Sequence, residues 1–241
     1  MFQKKLINYR PEIDGLRAIA VIAVILYHAK ITLFKGGFIG VDIFFVISGY
    51  LITSIILKEL VTTGTFSFKY FYERRVRRIL PALVFVMLMS LPFAWMYLIP
   101  GAFIDFSKSI LYSLGFSSNF YFHYSGQQYG AESGLLKPFL HTWSLSVEEQ
   151  YYILFPVVTL IVFKHLKKYF GIFLIVSFVA SLTIADWGSR NYPSATFYLL
   201  HSRMWELIAG SILAYFEIIR GKQISRYQIL NSTCSILGLL F

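Results

Sequence analysis

Apolar stretches of about 20 residues recur along this chain with short basic loops between them, and that pattern leaves few folds open. Inside hydrocarbon each such stretch must satisfy its own backbone hydrogen bonds, which a helix does and an open strand cannot. With 57% hydrophobic residues, 14% charged residues and a mean hydropathy of +0.63, the chain has little sequence left over for a water-soluble domain. It is therefore expected to be an all-α, polytopic integral membrane helical bundle, a single domain over residues 1–241. The net charge of +10 does not point to nucleic acid, because the lysines and arginines gather in alternate loops, as the positive-inside rule requires. The one cysteine, Cys234, excludes an intrachain disulfide and a cysteine metal cluster. The lysines before the first apolar run imitate a signal peptide, but Glu12 and Asp14 intervene and no small-residue cleavage pattern follows, so a retained first span is expected.

Charge placement orders the spans. The first is expected from about Leu16 to Phe34, and the Lys35-Gly36-Gly37 turn sends the chain back through Phe38 to Leu60. Residues 66–81, FSFKYFYERRVRRILP, alternate aromatic with basic side chains in the manner of a helix lying along a membrane interface. A third span follows at about Ile79 to Ile99, with Pro81 and Pro92 inside it. The stretch Phe106 to Tyr124 is long enough to cross but rich in Ser, Tyr and Asn, and is expected to be re-entrant or interfacial. Later spans fall at Val147 to Phe163, Tyr169 to Ala185 and Phe197 to Ile219, and a seventh begins before Phe241. Six spans plus a truncated seventh, with the N-terminus cytoplasmic, is the expected layout.

Ionisable residues within spans are costly and mark function by default. Arg17 and His28 stand eleven positions apart, which on a helix is about 20° past three turns and a rise of about 16 Å, so both share one face. His28 is expected about 9 Å inside the outer end of its span and Asp42 about 6 Å into the next, close enough to meet. A carboxylate on one imidazole nitrogen fixes the tautomer and raises the basicity of the other, as a general base acting on a hydroxyl needs. Glu148, Glu149, Arg203 and Glu206 fall in the same outer layer, though either glutamate of the first pair is also explained by a simple interfacial position. On the inner side Arg74, Arg75, Arg77 and Arg78 form two overlapping pairs at i, i+3. Forked guanidiniums suit phosphate, while a topogenic anchor on anionic lipid explains them equally well. No His or carboxylate spacing makes a metal site, and neither a nucleophile elbow nor a phosphate-cradling glycine loop is present.

Five blocks occur in order: YRPEIDGLRAIAVIAVILYHAK, GGFIGVDIFFVISGYLIT, FYERRVRRILPAL, LHTWSLSVEEQYYILFP and SRMWELIAG. Together, from about Tyr9 to Ala214, they resemble the acyltransferase 3 family of bacterial membrane O-acyltransferases. The family's arginine–ten residues–histidine signature falls on Arg17 and His28, and its R-x-x-R signature on Arg75 and Arg78, with Arg74 and Arg77 a second match. The resemblance implies transfer of an acyl group, usually acetyl, from cytoplasmic acyl-CoA to a hydroxyl of an extracytoplasmic glycan such as lipopolysaccharide, peptidoglycan or an exported polysaccharide. It implies His28 as general base, Asp42 as its orienting partner, and Arg17, Arg75, Arg78 and Arg74 as acetyl-CoA phosphate contacts. Glu149 is implied as a further catalytic or acceptor-side group, with Glu148, Arg203 and Glu206 acceptor-side or structural. No permanent cofactor is implied. The expected location is the bacterial cytoplasmic (inner) membrane. Family members continue through further membrane helices, so two alternatives stand beside an active enzyme: a decayed remnant, or a chain completed by helices of a partner. A polytopic carrier with a buried charge path is the rival from another class.

Overall fold

The computed structural model describes residues 10–127 and 137–219, and among them every regular element is helical. The helices are α1 (Pro11–His28), α2 (Gly40–Thr63), α3 (Phe68–Tyr97), α4 (Pro100–Leu114), α5 (Ser118–Ser125), α6 (Thr142–His165), α7 (Phe170–Asn191), α8 (Pro193–Tyr198) and α9 (Leu200–Ile219). The expected seventh span and Cys234 lie outside the described residues. Four segments, Gly37–Thr63, Phe68–Tyr97, Thr142–His165 and Lys167–Asn191, are long and apolar enough to cross a membrane. The other two expected spans, α1 and α9, have 18 and 20 residues and hold more charge: Glu12, Asp14 and Arg17 in one, Arg203, Glu206 and Glu217 in the other. Large apolar side chains such as Phe85, Leu88, Trp95, Ile172 and Val176 stand exposed, as a lipid-facing surface requires.

Three boundaries differ from expectation. The first helix ends at His28 and not near Phe34, because Lys30 takes a left-handed backbone (φ 58°) and the chain turns there. His28 thus closes its helix, where a position about 9 Å short of the span's outer end was expected. Secondly, the basic segment and the third span are one continuous helix of 30 residues, α3, rising about 45 Å. Ser67 caps its start by accepting the Tyr70 N–H, and both prolines are carried inside it without a break. Thirdly, the Phe106 to Tyr124 stretch is two helices broken at Phe116 (φ 50°). The longer, α4, has 15 residues and rises about 22 Å, short of the roughly 30 Å of a hydrocarbon core.

The centre of the bundle is the α2–α9 pair, and glycine permits its close approach. A Cβ on Gly49 would lie 1.8 Å from the Leu207 carbonyl oxygen, and one on Gly210 would lie 1.9 Å from that of Val46. Small residues at crossings are how membrane helices pack, since lipid supplies no hydrophobic drive between them. Hydroxyls seal the same interface: Thr53 donates to Ser211 (2.7 Å), which also meets the buried Tyr151 hydroxyl of α6 (2.9 Å). Elsewhere Ser113, Thr142, Ser118 and Ser146 form a buried hydroxyl chain that ties α4 and α5 to α6.

The register of α1 against α2 shapes the site. Gly40 of α2 faces Ala20 and Val24, and ten residues further along Tyr50 receives a hydrogen bond from Arg10, just before α1 begins. So α1 starts alongside the middle of α2. The remaining 13 residues of α2, about 20 Å, run on past it toward the turn into α3. That end of the bundle, where Lys58, Arg75 and Arg78 lie, is called the basic end below; His28 and Asp42 mark the opposite, histidine end.

Candidate active site

Beneath the start of α1, between α2, α3 and α6, lies a cavity of about 460 Å³. That is within the range of small-molecule sites. Its lining brings together Arg10, Arg17, Lys58, Arg75 and Arg78 against a single acid, Asp14. Arg10 is already compensated: it bonds Glu12 (2.6 Å), Glu217 (3.3 Å) and the Tyr50 hydroxyl (2.5 Å). Among the described residues no ion pair reaches Arg17, Lys58, Arg75 or Arg78. The Nε atoms of Arg17 and Arg75 are also buried without a hydrogen-bond partner. Arg75 lies 3.7 Å from the centroid of the Tyr152 ring. Such a contact contributes about 0.5–2 kcal/mol and supplies no acceptor for the guanidinium N–H groups. The lining is strongly basic and carries N–H donors with no acceptor of their own.

At the cavity's inner wall Tyr152 donates its hydroxyl to Glu148 Oε1, and Ser48 of α2 donates to the same oxygen. Glu149, the next residue, is buried, and its Oε1 has no hydrogen-bond partner. Past this barrier, toward the histidine end, Arg203 Nη1 bonds both Asp42 (3.0 Å) and Glu206 (2.8 Å). The guanidinium carbon of Arg203 lies 5.6 Å from the Trp143 ring and 5.1 Å from Phe197. Glu206 is fully buried and one of its oxygens, Oε2, is unpaired.

His28 stands at the tip of α1 with Nδ1 2.8 Å from the Val24 carbonyl oxygen. A carbonyl can only accept, so Nδ1 carries the proton and the Nε2 lone pair of the neutral ring is left free. The Tyr27 ring packs edge-on against the imidazole at 5.3 Å.

The family model for an acyltransferase domain matches residues 10–240. The chain belongs to the acyltransferase 3 family. It is 38% identical over 213 residues to the peptidoglycan O-acetyltransferase OatA of Listeria monocytogenes, covering 86% of this chain and 34% of that protein. It is 34% identical over 211 residues to the O-acetyltransferase OatA of Staphylococcus aureus, covering 86% of this chain and 35% of that protein. The chain therefore spans about a third of the length of these relatives. No solved structure matches it significantly.

In this acyltransferase domain Arg17, Arg75 and Arg78 meet in one cavity although they come from α1 and α3. Arg74 does not join them: its guanidinium sits 4.1 Å from the Tyr70 ring on the outside of α3. Asp42 does not hold His28 either. It pairs with Arg203, 161 residues away in sequence, and the orienting contact to His28 comes from the Val24 carbonyl. The reason is the register of α1 on α2: Gly40 faces Ala20 and Val24, which leaves His28 beyond the start of α2, where Asp42 sits in the first turn. Glu206 joins Asp42 through Arg203, while Glu148 and Glu149 stand nearer the cavity. Several residues at these sites carry no sequence signal of their own. Tyr152, Tyr50 and Lys58 read as ordinary members of apolar helices, and only the packing of α2 and α6 brings them to the cavity, as it brings Ser48 to Glu148.

Proposed function

We propose that this chain is the membrane part of an O-acetyltransferase that takes acetyl from acetyl-CoA and delivers it to a glycan hydroxyl. The observation that carries this is the set of cations Arg17, Arg75 and Arg78 around one cavity, none in an ion pair among the described residues and two with buried, unbonded Nε atoms. A phosphate-bearing donor supplies the missing acceptors, and guanidiniums take phosphate bidentately. The basic end is placed on the cytoplasmic side, where the donor is made, by the positive-inside rule. His28 then faces the other side, about 16 Å further along α1 from Arg17. There its free Nε2 removes the proton of the incoming hydroxyl. The hydroxyl oxygen bonds the acetyl carbon, the carbon–sulfur bond breaks, and the imidazolium returns the proton to the departing thiolate. The named substrate of the Listeria relative makes peptidoglycan the first acceptor to try.

The test is acetyl-CoA consumption by membranes that contain the chain, with extracted envelope glycans as acceptor. The expected result is turnover that disappears in His28→Ala while protein level is unchanged. Turnover equal in the two would remove His28 from the chemistry.

A further inference from the structure

Tyr152 lines the cavity and is held both by its hydroxyl and by its backbone. The side chain is 1% exposed, and its hydroxyl is tied to Glu148 one turn back on α6, at the oxygen that Ser48 of α2 also holds. The backbone contact follows from a proline. Pro156 has no N–H, so the carbonyl of Tyr152, four residues earlier in α6, has no helical partner. The Tyr72 hydroxyl of α3 takes that place and donates to the Tyr152 carbonyl oxygen at 3.2 Å. Tyr72 and Arg75 stand at i, i+3 and share one face of α3. The Tyr72 bond therefore fixes α3 on α6 in a register that brings Arg75, one turn further on, over the Tyr152 ring.

The guanidinium carbon of Arg75 lies 3.7 Å from the ring centroid, a separation at which the ring meets a guanidinium face and not an N–H edge. The in-plane donors are left over. Arg75 Nε is buried without a partner, and no ion pair reaches the side chain among the described residues. A long side chain that a ligand must immobilise loses rotamer freedom, which weakens binding by about two- to tenfold. A ring that already holds the guanidinium removes that loss from the binding step. We propose that Tyr152 is a positioning residue of the donor site: its fixed ring holds Arg75 at the cavity wall with the N–H donors ready for phosphate oxygens. This rests on the acetyl-CoA reading of the cavity.

The experiment is equilibrium binding of coenzyme A to the purified full chain in nanodiscs, with thermal unfolding alongside, for wild type, Tyr152→Phe, Tyr152→Leu, Arg75→Met and the Tyr152→Leu/Arg75→Met pair. Tyr152→Phe keeps the ring and is expected to bind within about twofold of wild type, whereas Tyr152→Leu is expected to bind about threefold or more weaker. In the Arg75→Met background Tyr152→Leu should change nothing further, a coupling that a general loosening of α6 would not give. Where Tyr152→Leu does not fold, 3,4,5-trifluorophenylalanine at the same position replaces it. That ring has the shape of the Tyr152→Phe ring without its negative face, and is expected to bind coenzyme A more weakly than Tyr152→Phe. The role of Tyr152 is overturned, with the donor reading left standing, by any of four results: no loss in a folded Tyr152→Leu, an equal loss with and without Arg75, Tyr152→Phe as weak as Tyr152→Leu, or a fluorinated ring that binds as Tyr152→Phe does. Wild type binding no coenzyme A overturns the donor reading and the role of Tyr152 with it.

Discussion

The two ends of this bundle treat arginine in opposite ways. At the histidine end Arg203 is closed in by Asp42, Glu206 and two aromatic rings. At the basic end Arg17, Arg75 and Arg78 surround a cavity with no ion-pair partner among the described residues, and the ring of Tyr152 is the one face set against Arg75. A charge with its counter-charges in place is part of the fold. A charge left without them holds free energy that a ligand can recover. On the proposed reading the same residue type has a structural role at one end and a binding role at the other, and substitutions separate the two.

The largest expected effect is on chemistry. His28→Ala should lower transfer by about 10²- to 10⁴-fold, the usual worth of a positioned general base, with coenzyme A affinity unchanged because His28 is remote from the cavity. Rates measured at saturating donor, alongside a binding titration, check both halves. Next comes Arg203→Met, which strands Asp42 and the buried Glu206 without their cation. It should destabilise the protein by about 3 kcal/mol or more while leaving donor affinity intact in the folded fraction, as thermal unfolding in detergent would reveal. Arg75→Met should do the reverse. Donor affinity falls by about tenfold or more, and the melting temperature changes little, since among the described residues no ion pair holds the half-buried Arg75. If Arg203→Met weakened donor binding, or Arg75→Met unfolded the protein, the contrast between the ends would fail. The smallest effect belongs to Arg74→Ala, expected to leave binding and transfer near wild type because its side chain lies against Tyr70 outside the cavity.

Much of this was legible before the structure. Hydropathy located most of the helices, and the resemblance to the acyltransferase 3 blocks grouped Arg17, Arg75 and Arg78, which the fold brings to one cavity. Helix ends were less legible. Lys30 carries no glycine-like signal for its left-handed backbone, so α1 was expected to run six residues too far, with His28 about 9 Å short of its end. The basic segment of α3 has interfacial composition, yet a capped start and a prolonged backbone ladder make it the opening turns of a span. Long-range pairing was beyond reach altogether. That Arg203 would take Asp42 from His28 depends on the register of α9 along α2, set by Gly49 and Gly210. Neither glycine announces its partner in sequence.

The central claim is that the unpaired arginines hold the donor, and coenzyme A binding to the purified chain tests it most directly. Wild type and the Arg75→Met/Arg78→Met pair should be titrated side by side, with thermal unfolding as the check on folding. Saturable binding by wild type, weakened at least about tenfold in the double variant at equal stability, is the result expected. Equal binding by both proteins, or none by a folded wild type, would contradict it.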